Sequence, residues 1–158
     1  MNVLHIGLSD LSGGASRASY RIHQSLKNNK NLLINSKMRV IKKISEDQDV
    51  FSKNNSFHNY FYPKLITVLN QFYRYGFNTI NPVLHSTARI KTGLGKELNN
   101  IKNVDLFHLH WLGDATISIE EIGSLNKPII WTLHDQWPFC GATSSNNSIF
   151  TSPSFNFK

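Results

Sequence analysis

The sequence opens with a short apolar run that ends in a turn containing two adjacent glycines. The apolar run covers 2–8, and the turn-forming cluster covers 9–14. After the glycines, apolar side chains recur at the spacing of one helical face: Ala15, Ala18, Ile22 and Leu26. A buried strand, a glycine turn and a helix in this order are typical of the first unit of an α/β domain.

The same alternation continues along the chain. Apolar runs predict three more strands, at 36–41, 104–111 and 128–133. Helical patterning predicts two more helices, at 96–101 and 119–125. Ser118 stands where it can cap the last helix, with Glu121 at the capping-box position. Alternating strands and helices build parallel sheets covered on both faces, so we expect an α/β fold with a Rossmann-like three-layer parallel sheet.

The length of 158 residues suits a single domain with its own core. We expect the domain to span 1–142, with an aromatic helical insertion and connection at 51–101. Nine aromatic residues fall within 51–77, and the same segment has an apolar face at helical spacing, formed by Phe61, Leu65, Val68, Leu69 and Phe72. This face favours packing on the core; a surface that docks on a membrane or a partner domain is the alternative. The stretch 143–158 shows no periodicity, which predicts a disordered tail.

The net charge of +7 is concentrated towards the amino terminus. Eight basic residues and no acidic one lie between Leu11 and Ser45: Arg17, Arg21, Lys27, Lys30, Lys37, Arg39, Lys42 and Lys43. Such a face suits phosphorylated substrates or an anionic membrane, or is simply solvated. No helix-turn-helix, RNA-recognition or zinc signature accompanies it, so we do not expect nucleic acid as a partner.

Cysteine content and hydropathy bear on location. Cys140 is the single cysteine and cannot form an internal disulfide, and no basic, apolar leader opens the sequence. No run approaches the roughly 20 apolar residues of a membrane-spanning helix. We therefore expect a cytoplasmic protein, with peripheral contact at the inner membrane face as a further option.

Three predicted strand ends carry residues suited to binding or chemistry, and ligands of open parallel sheets bind at such ends. Gly13 and Gly14 open a helix, where backbone N–H groups and the helix dipole favour an anion, and Arg17 can add guanidinium donors. A plain tight turn is the alternative for the glycines. We expect Gly13, Gly14 and Arg17 to bind substrate.

The other two strand ends carry histidines. His134 follows a buried strand and stands beside Asp135, which can orient or stabilise an imidazole, whereas a histidine bonded to its own loop is the alternative. His110 ends the strand before it. We expect His134 to be catalytic, and His110 and Asp135 to bind substrate.

His108 and His110 lie two residues apart in a predicted strand, so both side chains face one side, a spacing also found in metal pairs. No third ligand stands at a suitable local spacing, so we expect buried, hydrogen-bonded histidines and no metal. The sequence contains no G-x-S-x-G elbow, and Cys140 has no base in a recognisable local pattern, which argues against a hydrolase.

Four motifs occur together in one known family. They are Leu4-His5-Ile6 with Ser12-Gly13-Gly14-Ala15, His108-Leu109-His110-Trp111, Ile119-Glu120-Glu121-Ile122, and Trp131-Thr132-Leu133-His134-Asp135-Gln136-Trp137-Pro138-Phe139. Over about residues 1–142 the chain resembles the amino-terminal half of family-four glycosyltransferases, in particular the bacterial subgroup that builds colanic-acid-like surface polysaccharides.

The resemblance implies a GT-B architecture, in which two Rossmann-like domains face each other across a cleft and this chain is the acceptor-side domain. It implies a nucleotide-sugar donor, a glycan or lipid-linked acceptor, and no bound metal. The loop of Gly13 and Gly14 would face the donor diphosphate or the reacting sugar, and His134 would lie near the transferred sugar.

The chain departs from this family after the Trp-Pro-Phe element, where 140–143 replaces a Thr-Gly-Gly-Cys-like run. The carboxyl-terminal domain that holds the nucleotide sugar in such enzymes has no counterpart in these residues. We therefore expect an incomplete fragment of a glycosyltransferase, with a non-catalytic remnant that binds a glycan or a partner as the alternative.

Overall fold

The computed structural model describes residues 1–53, 68, 88–113, 116–135 and 138. The strands are β1 (Asn2–Ser9), β2 (Asn35–Lys42), β3 (Val50–Phe51), β4 (Leu106–Leu109) and β5 (Ile129–Trp131). They form one sheet in the order β3-β2-β1-β4-β5, and every neighbouring pair is parallel. The fold is therefore α/β with a parallel sheet, as the alternation in the sequence predicts.

Helices connect these strands. Within the described ranges they are α1 (Gly13–Asn28), α2 (Leu94–Asn99) and α3 (Ile119–Gly123). The strands and helices predicted from periodicity are present here with small shifts at their ends. β3 is not predicted, because two residues carry no periodic pattern; it forms where Val50 and Phe51 pair with Met38 and Arg39 of β2. Phe51, placed by its sequence in the aromatic insertion, belongs to the sheet.

One face of the central strands is apolar. Leu4 and Ile6 of β1 and Phe107 and Leu109 of β4 are fully or almost fully buried and pack with Leu98 of α2. Burying each such side chain contributes roughly 1.5–3 kcal/mol. This cluster therefore holds α2 against the sheet.

The opposite face of the same strands is polar. His5 alternates with the apolar residues of β1, and His108 alternates with those of β4, so these imidazoles face away from the apolar cluster. This face meets α1, where the buried His23 lies with its ring centroid 5.7 Å from that of His5. His23 Nδ1 is hydrogen-bonded to Ser36 Oγ at 2.8 Å. On this side of the sheet the interior therefore combines hydrogen-bonding groups with a second apolar cluster, formed by Met38 and Val40 of β2 and Val50 of β3.

Acidic residues from elsewhere in the chain pair with part of the basic amino-terminal region. Arg39 is buried, and its Nε donates to Glu97 Oε1 of α2 at 2.6 Å. Lys27 Nζ lies 2.8 Å from Asp47 Oδ1 and 2.6 Å from Asp49 Oδ2. Two of the eight basic residues therefore serve the fold instead of an open charged face.

Several sequence predictions lie outside the described residues. They include most of the aromatic segment 51–77, the tail 143–158 and Cys140. In the part of the chain that the structure describes, no helix combines the length and the apolar character needed to cross a membrane.

Glu121 joins α2 to α3. Its carboxylate accepts backbone N–H groups from Thr92 at 2.9 Å, Gly93 at 2.6 Å and Ser118 at 3.0 Å. Ser118 Oγ accepts from Glu121 N at 3.2 Å, which completes the predicted capping box. A Cβ at Gly95 would lie 2.8 Å from Glu121 Cβ, so the glycine permits this close approach. One carboxylate therefore serves the first turns of two helices, whose N–H groups have no partner within their own helix.

We expect Glu121→Gln to lower the free energy of unfolding by about 2 kcal/mol, because the amide loses the charge and one acceptor oxygen. Urea unfolding measures the change. Glu120→Gln is the matched control: Glu120 is the preceding residue of α3, its side chain is 69% exposed, and it pairs with Lys91 at the surface. The control should leave the midpoint unchanged. An equal loss in both variants would contradict the role of Glu121.

The same residue gives the stability a pH dependence. Burial raises the pKa of Glu121, but hydrogen bonds from Thr92 and Ser118 outweigh it, so the pKa lies below its ordinary value. Stabilisation is therefore complete above the unfolded-state pKa of about 4.3 and is lost as the pH falls through the lower folded-state value. We expect the difference between wild type and Glu121→Gln to shrink below about pH 4 in urea unfolding. A difference that grows on acidification would contradict this.

Candidate functional site

The predicted site residues follow the carboxyl ends of three neighbouring strands. Gly13 and Gly14 follow β1, His110 follows β4, and His134 and Asp135 follow β5. Because β1, β4 and β5 are parallel neighbours, these ends meet at one edge of the sheet, called here the carboxyl edge. The chain runs outward from β1 to β3 on one side and from β4 to β5 on the other. The boundary of β1 and β4 is therefore a topological switch point, where open sheets bind ligands.

The glycine turn presents open backbone at this edge. Gly13 has a φ of 85°, a left-handed conformation that suits glycine. A Cβ at Gly13 or at Gly14 would meet no atom within 4 Å. Ser12 is the N-cap residue, and its side chain makes no capping hydrogen bond. Arg17 is exposed, and its Nε donates to the Leu11 carbonyl at 3.3 Å, which keeps the guanidinium beside the turn. The arrangement suits an anion.

Asp10 holds the turn in place, a role that was not predicted from the sequence. Its carboxylate is buried and accepts backbone N–H groups from Leu11 at 3.0 Å, Ile44 at 2.9 Å and Ser45 at 2.8 Å. Burial raises the pKa of Asp10, but hydrogen bonds from Ser45 and Ile44 bring it below its ordinary value. An ionised Asp10 therefore ties the loop after β1 to the loop after β2.

Three histidines form a hydrogen-bonded chain that runs from the interior to the carboxyl edge. His5 Nδ1 lies 2.9 Å from His110 Nε2, and His110 Nδ1 lies 3.2 Å from His134 Nε2. His5 and His110 are buried, and His134 is partly exposed. We call His5, His110 and His134 the imidazole chain. It connects the predicted catalytic residue to the centre of the sheet.

Burial keeps the imidazole chain uncharged. Together with the neighbouring imidazoles, it lowers the pKa of His5 to about 3 and that of His110 to about 2. Burial also lowers the pKa of His134, although the negative charge of Asp135 opposes the shift. Each ring therefore has one N–H group and one lone pair at neutral pH.

The hydrogen-bond partners of His5 determine which ring donates and which accepts along the imidazole chain. His5 Nε2 is buried and has no hydrogen-bond partner among the described residues. A buried lone pair without a partner costs less than a buried N–H without one, so the His5 proton belongs on Nδ1. His5 then donates to His110, and His110 donates to His134. His134 consequently carries its proton on Nδ1 and offers a donor at the carboxyl edge.

Asp135 accepts a hydrogen bond from an indole. Trp111 Nε1 donates to Asp135 Oδ2 at 2.6 Å, and Trp131 Nε1 donates to the His110 carbonyl at 3.0 Å. A Cβ at Gly113 would overlap the six-membered ring of Trp111, so only a glycine allows the indole to lie there. Asp135 thus acts on His134 through its charge, while its hydrogen bond with Trp111 orients the indole.

A small recess opens among these side chains. It is lined by His110, His134 and Asp135 together with the rings of Trp111 and Trp131, and encloses about 180 Å³ including its open mouth. This volume includes open solvent, so the enclosed part of the recess admits only a small chemical group. A larger ligand would extend beyond the described residues.

Comparison of the chain with protein-family models, with curated proteins and with solved structures finds no match in any of the three. The glycosyltransferase resemblance accordingly rests on the motif residues.

The structure brings His110, His134 and Asp135 into one recess, and places Gly13, Gly14 and Arg17 at a neighbouring strand end of the same edge. The site residues predicted from the sequence did not include His5 and Trp111. A histidine between two apolar residues of the first strand was the available signal for His5. Its pairing with His108 depends on strand register, which a single sequence does not specify.

We expect Gly113→Ala to displace the Trp111 indole and break its bond to Asp135, because the new methyl group needs the space of the ring. The indole N–H resonance of Trp111 in a ¹H–¹⁵N spectrum should shift markedly. Gly123→Ala is the control, since a Cβ at Gly123 meets no atom within 4 Å. If both variants leave the resonance unchanged, the contact between Gly113 and Trp111 is wrong.

Proposed function

We propose that this chain is the acceptor-side half of a GT-B glycosyltransferase, which transfers a hexose from a nucleotide sugar to a glycan or lipid-linked acceptor in polysaccharide biosynthesis. One structural observation carries the proposal beside the sequence motifs. The imidazole of His134, hydrogen-bonded to His110, lines a recess at the carboxyl edge of a parallel sheet. Glycosyl transfer develops negative charge on the leaving phosphate oxygen, and a fixed N–H donor stabilises such charge.

The sheet supports the Rossmann-like, three-layer arrangement that this function requires. Its strand order matches the first five positions of a doubly wound sheet with a 3-2-1-4-5-6 order. His23 of α1 meets the polar face, whereas Leu98 of α2 packs with the apolar face. One helical layer on each face, with the sheet between them, is the three-layer arrangement expected when strands run outward in both directions.

The glycine turn is the proposed contact for the donor diphosphate. An anion beside Gly13 and Gly14 would gain roughly 0.3–1 kcal/mol from the dipole of α1, and Arg17 would add charge-assisted hydrogen bonds. A second Rossmann-like domain would hold the remainder of the nucleotide, as the resemblance implies. The small recess fits this division, because it needs to receive only one group.

The acceptor would be reached at a membrane surface on the cytoplasmic side. Arg21, Lys30 and Lys42 are exposed and belong to the basic amino-terminal region. Each basic residue near an anionic lipid surface contributes about 1 kcal/mol to attraction. Peripheral attachment would bring the carboxyl edge close to a lipid-linked acceptor.

His134 is proposed as an electrostatic donor and not as a general base. Its Nε2 faces His110, and the proton assignment above leaves an N–H on Nδ1. A group with its lone pair occupied cannot accept a proton, but it can stabilise an oxygen that becomes negative. The non-catalytic alternative, a domain that binds a glycan without turnover, uses the same donor.

We expect His134→Ala to lower the rate of sugar transfer by about 100-fold or more, the usual cost of removing one such donor. The chain is paired with a nucleotide-sugar-binding carboxyl-terminal domain from the colanic-acid-like subgroup, and label is followed from radioactive UDP- and GDP-hexoses into lipid and polysaccharide fractions. Lys127→Ala is the control, because Lys127 precedes β5 at the opposite end of the strand.

A His134→Ala rate within a few-fold of the parent would remove the role assigned to His134. Saturable binding of an oligosaccharide acceptor with no transfer in any combination would support the non-catalytic glycan-binding alternative instead. If neither transfer nor binding is observed, the proposed function as a whole is overturned.

A further inference from the structure

Three imidazoles meet where β1 pairs with β4. His5 and His108 are direct partners in the register of the two strands, and His110 follows on the same side. The ring centroids of His5 lie 4.8 Å from His108 and 5.2 Å from His110, and those of His108 and His110 are 4.2 Å apart. We call this set the three-histidine cluster.

The spacing of the cluster suits a transition-metal ion. One ring nitrogen can be taken from each histidine so that all three lie within 4.8 Å of one another. Nitrogens bound tetrahedrally to zinc at 2.0–2.1 Å are about 3.3 Å apart. Small rotations of the rings therefore bring the three nitrogens to bonding distance of one ion.

The three histidines of the cluster are also in the neutral protonation state that metal ligands require. Burial lowers the pKa of His108, as it does for His5 and His110, so the rings are neutral and have lone pairs. His5 Nε2 is the independent observation: it belongs to a fully buried side chain and has no hydrogen-bond partner among the described residues. A cation would use such a lone pair.

The second ring nitrogens of two members are already held. His108 Nε2 lies 2.7 Å from Thr132 Oγ1, and His110 Nδ1 lies 3.2 Å from His134 Nε2. Metal-binding histidines usually engage their other nitrogen in this way, which fixes the ring and its tautomer. The nitrogens left for a metal ion are therefore Nδ1 of His108 and Nε2 of His110. An ion on His110 Nε2 would replace the hydrogen bond from His5 Nδ1.

We propose that His5, His108 and His110 form a binding site for one divalent transition-metal ion of the zinc class. Three imidazoles without a carboxylate favour Zn²⁺, Co²⁺, Ni²⁺ or Cu²⁺ over Mg²⁺ and Ca²⁺. Three protein ligands leave a fourth position for water or a substrate atom. The sequence-based expectation of no metal followed from a missing local third ligand, and β1 supplies that ligand across the strand pair.

The experiment uses the full chain without a polyhistidine tag, stripped with EDTA. Calorimetric titration with ZnSO₄ should show one saturable site per chain, and Co²⁺ should give the visible absorption of a tetrahedral complex. Mg²⁺ at the same concentration should give no heat beyond dilution. None of these readouts requires sugar transfer, so failure here is distinct from failure of the proposed glycosyltransferase function.

Two variants locate the site. His108→Gln preserves an amide near Thr132 but removes a ligand, and it should weaken Zn²⁺ binding by at least about 100-fold. His23→Asn is the control: His23 is another buried histidine beside His5, its Nδ1 bonds Ser36 outside the cluster, and asparagine can keep that bond. The control should bind Zn²⁺ as the parent does.

An NMR measurement on the wild type tests the site even if a variant fails to fold. In the wild type, Zn²⁺ should shift the side-chain ¹⁵N resonances of His5, His108 and His110 more than those of His23. Absence of saturable Zn²⁺ binding, equal affinity in His108→Gln, or shifts confined to other histidines would each overturn the proposal.

Discussion

His5 and His110 are buried where β1 pairs with β4. Buried imidazoles are stable there only if they stay uncharged and form hydrogen bonds, and this requirement shapes the carboxyl edge. His5 and His110 satisfy it by bonding each other, and His134 extends the bonding to the surface. An apolar side chain at any of these positions would remove the partner of the next ring. The hydrogen bond with His110 therefore ties the position of His134 to the interior of the sheet.

Buried or partly buried carboxylates give the surrounding loops a similar rigidity. Asp10 binds the loops after β1 and β2, and Glu121 binds the first turns of α2 and α3. Each carboxylate accepts several backbone N–H groups, so its removal would leave several donors without partners at once. The loop that carries the glycine turn is consequently held by the scaffold through Asp10, as a preorganised site requires.

The sheet could be predicted from the sequence because its strands are continuous apolar runs and its helices show one apolar stripe. The capping box of Ser118 and Glu121 could be predicted as well, since it depends on four consecutive residues. Contacts that depend on strand register or on turns far apart in the chain could not. The pairing of His5 with His108, the bond from Trp111 to Asp135 and the anchoring role of Asp10 all belong to this second class.

The imidazole chain has a polarity, because each neutral ring has one N–H group and one lone pair. Reversing that polarity would move one proton at each ring and leave the total charge unchanged, yet the group exposed at His134 would change from a donor into an acceptor. Whatever occupies the lone pair of His110 Nε2, whether the His5 proton or a metal ion, forces the proton of His110 onto Nδ1. The interior of the sheet thereby dictates, over two hydrogen bonds, which kind of oxygen or nitrogen the surface histidine can recognise.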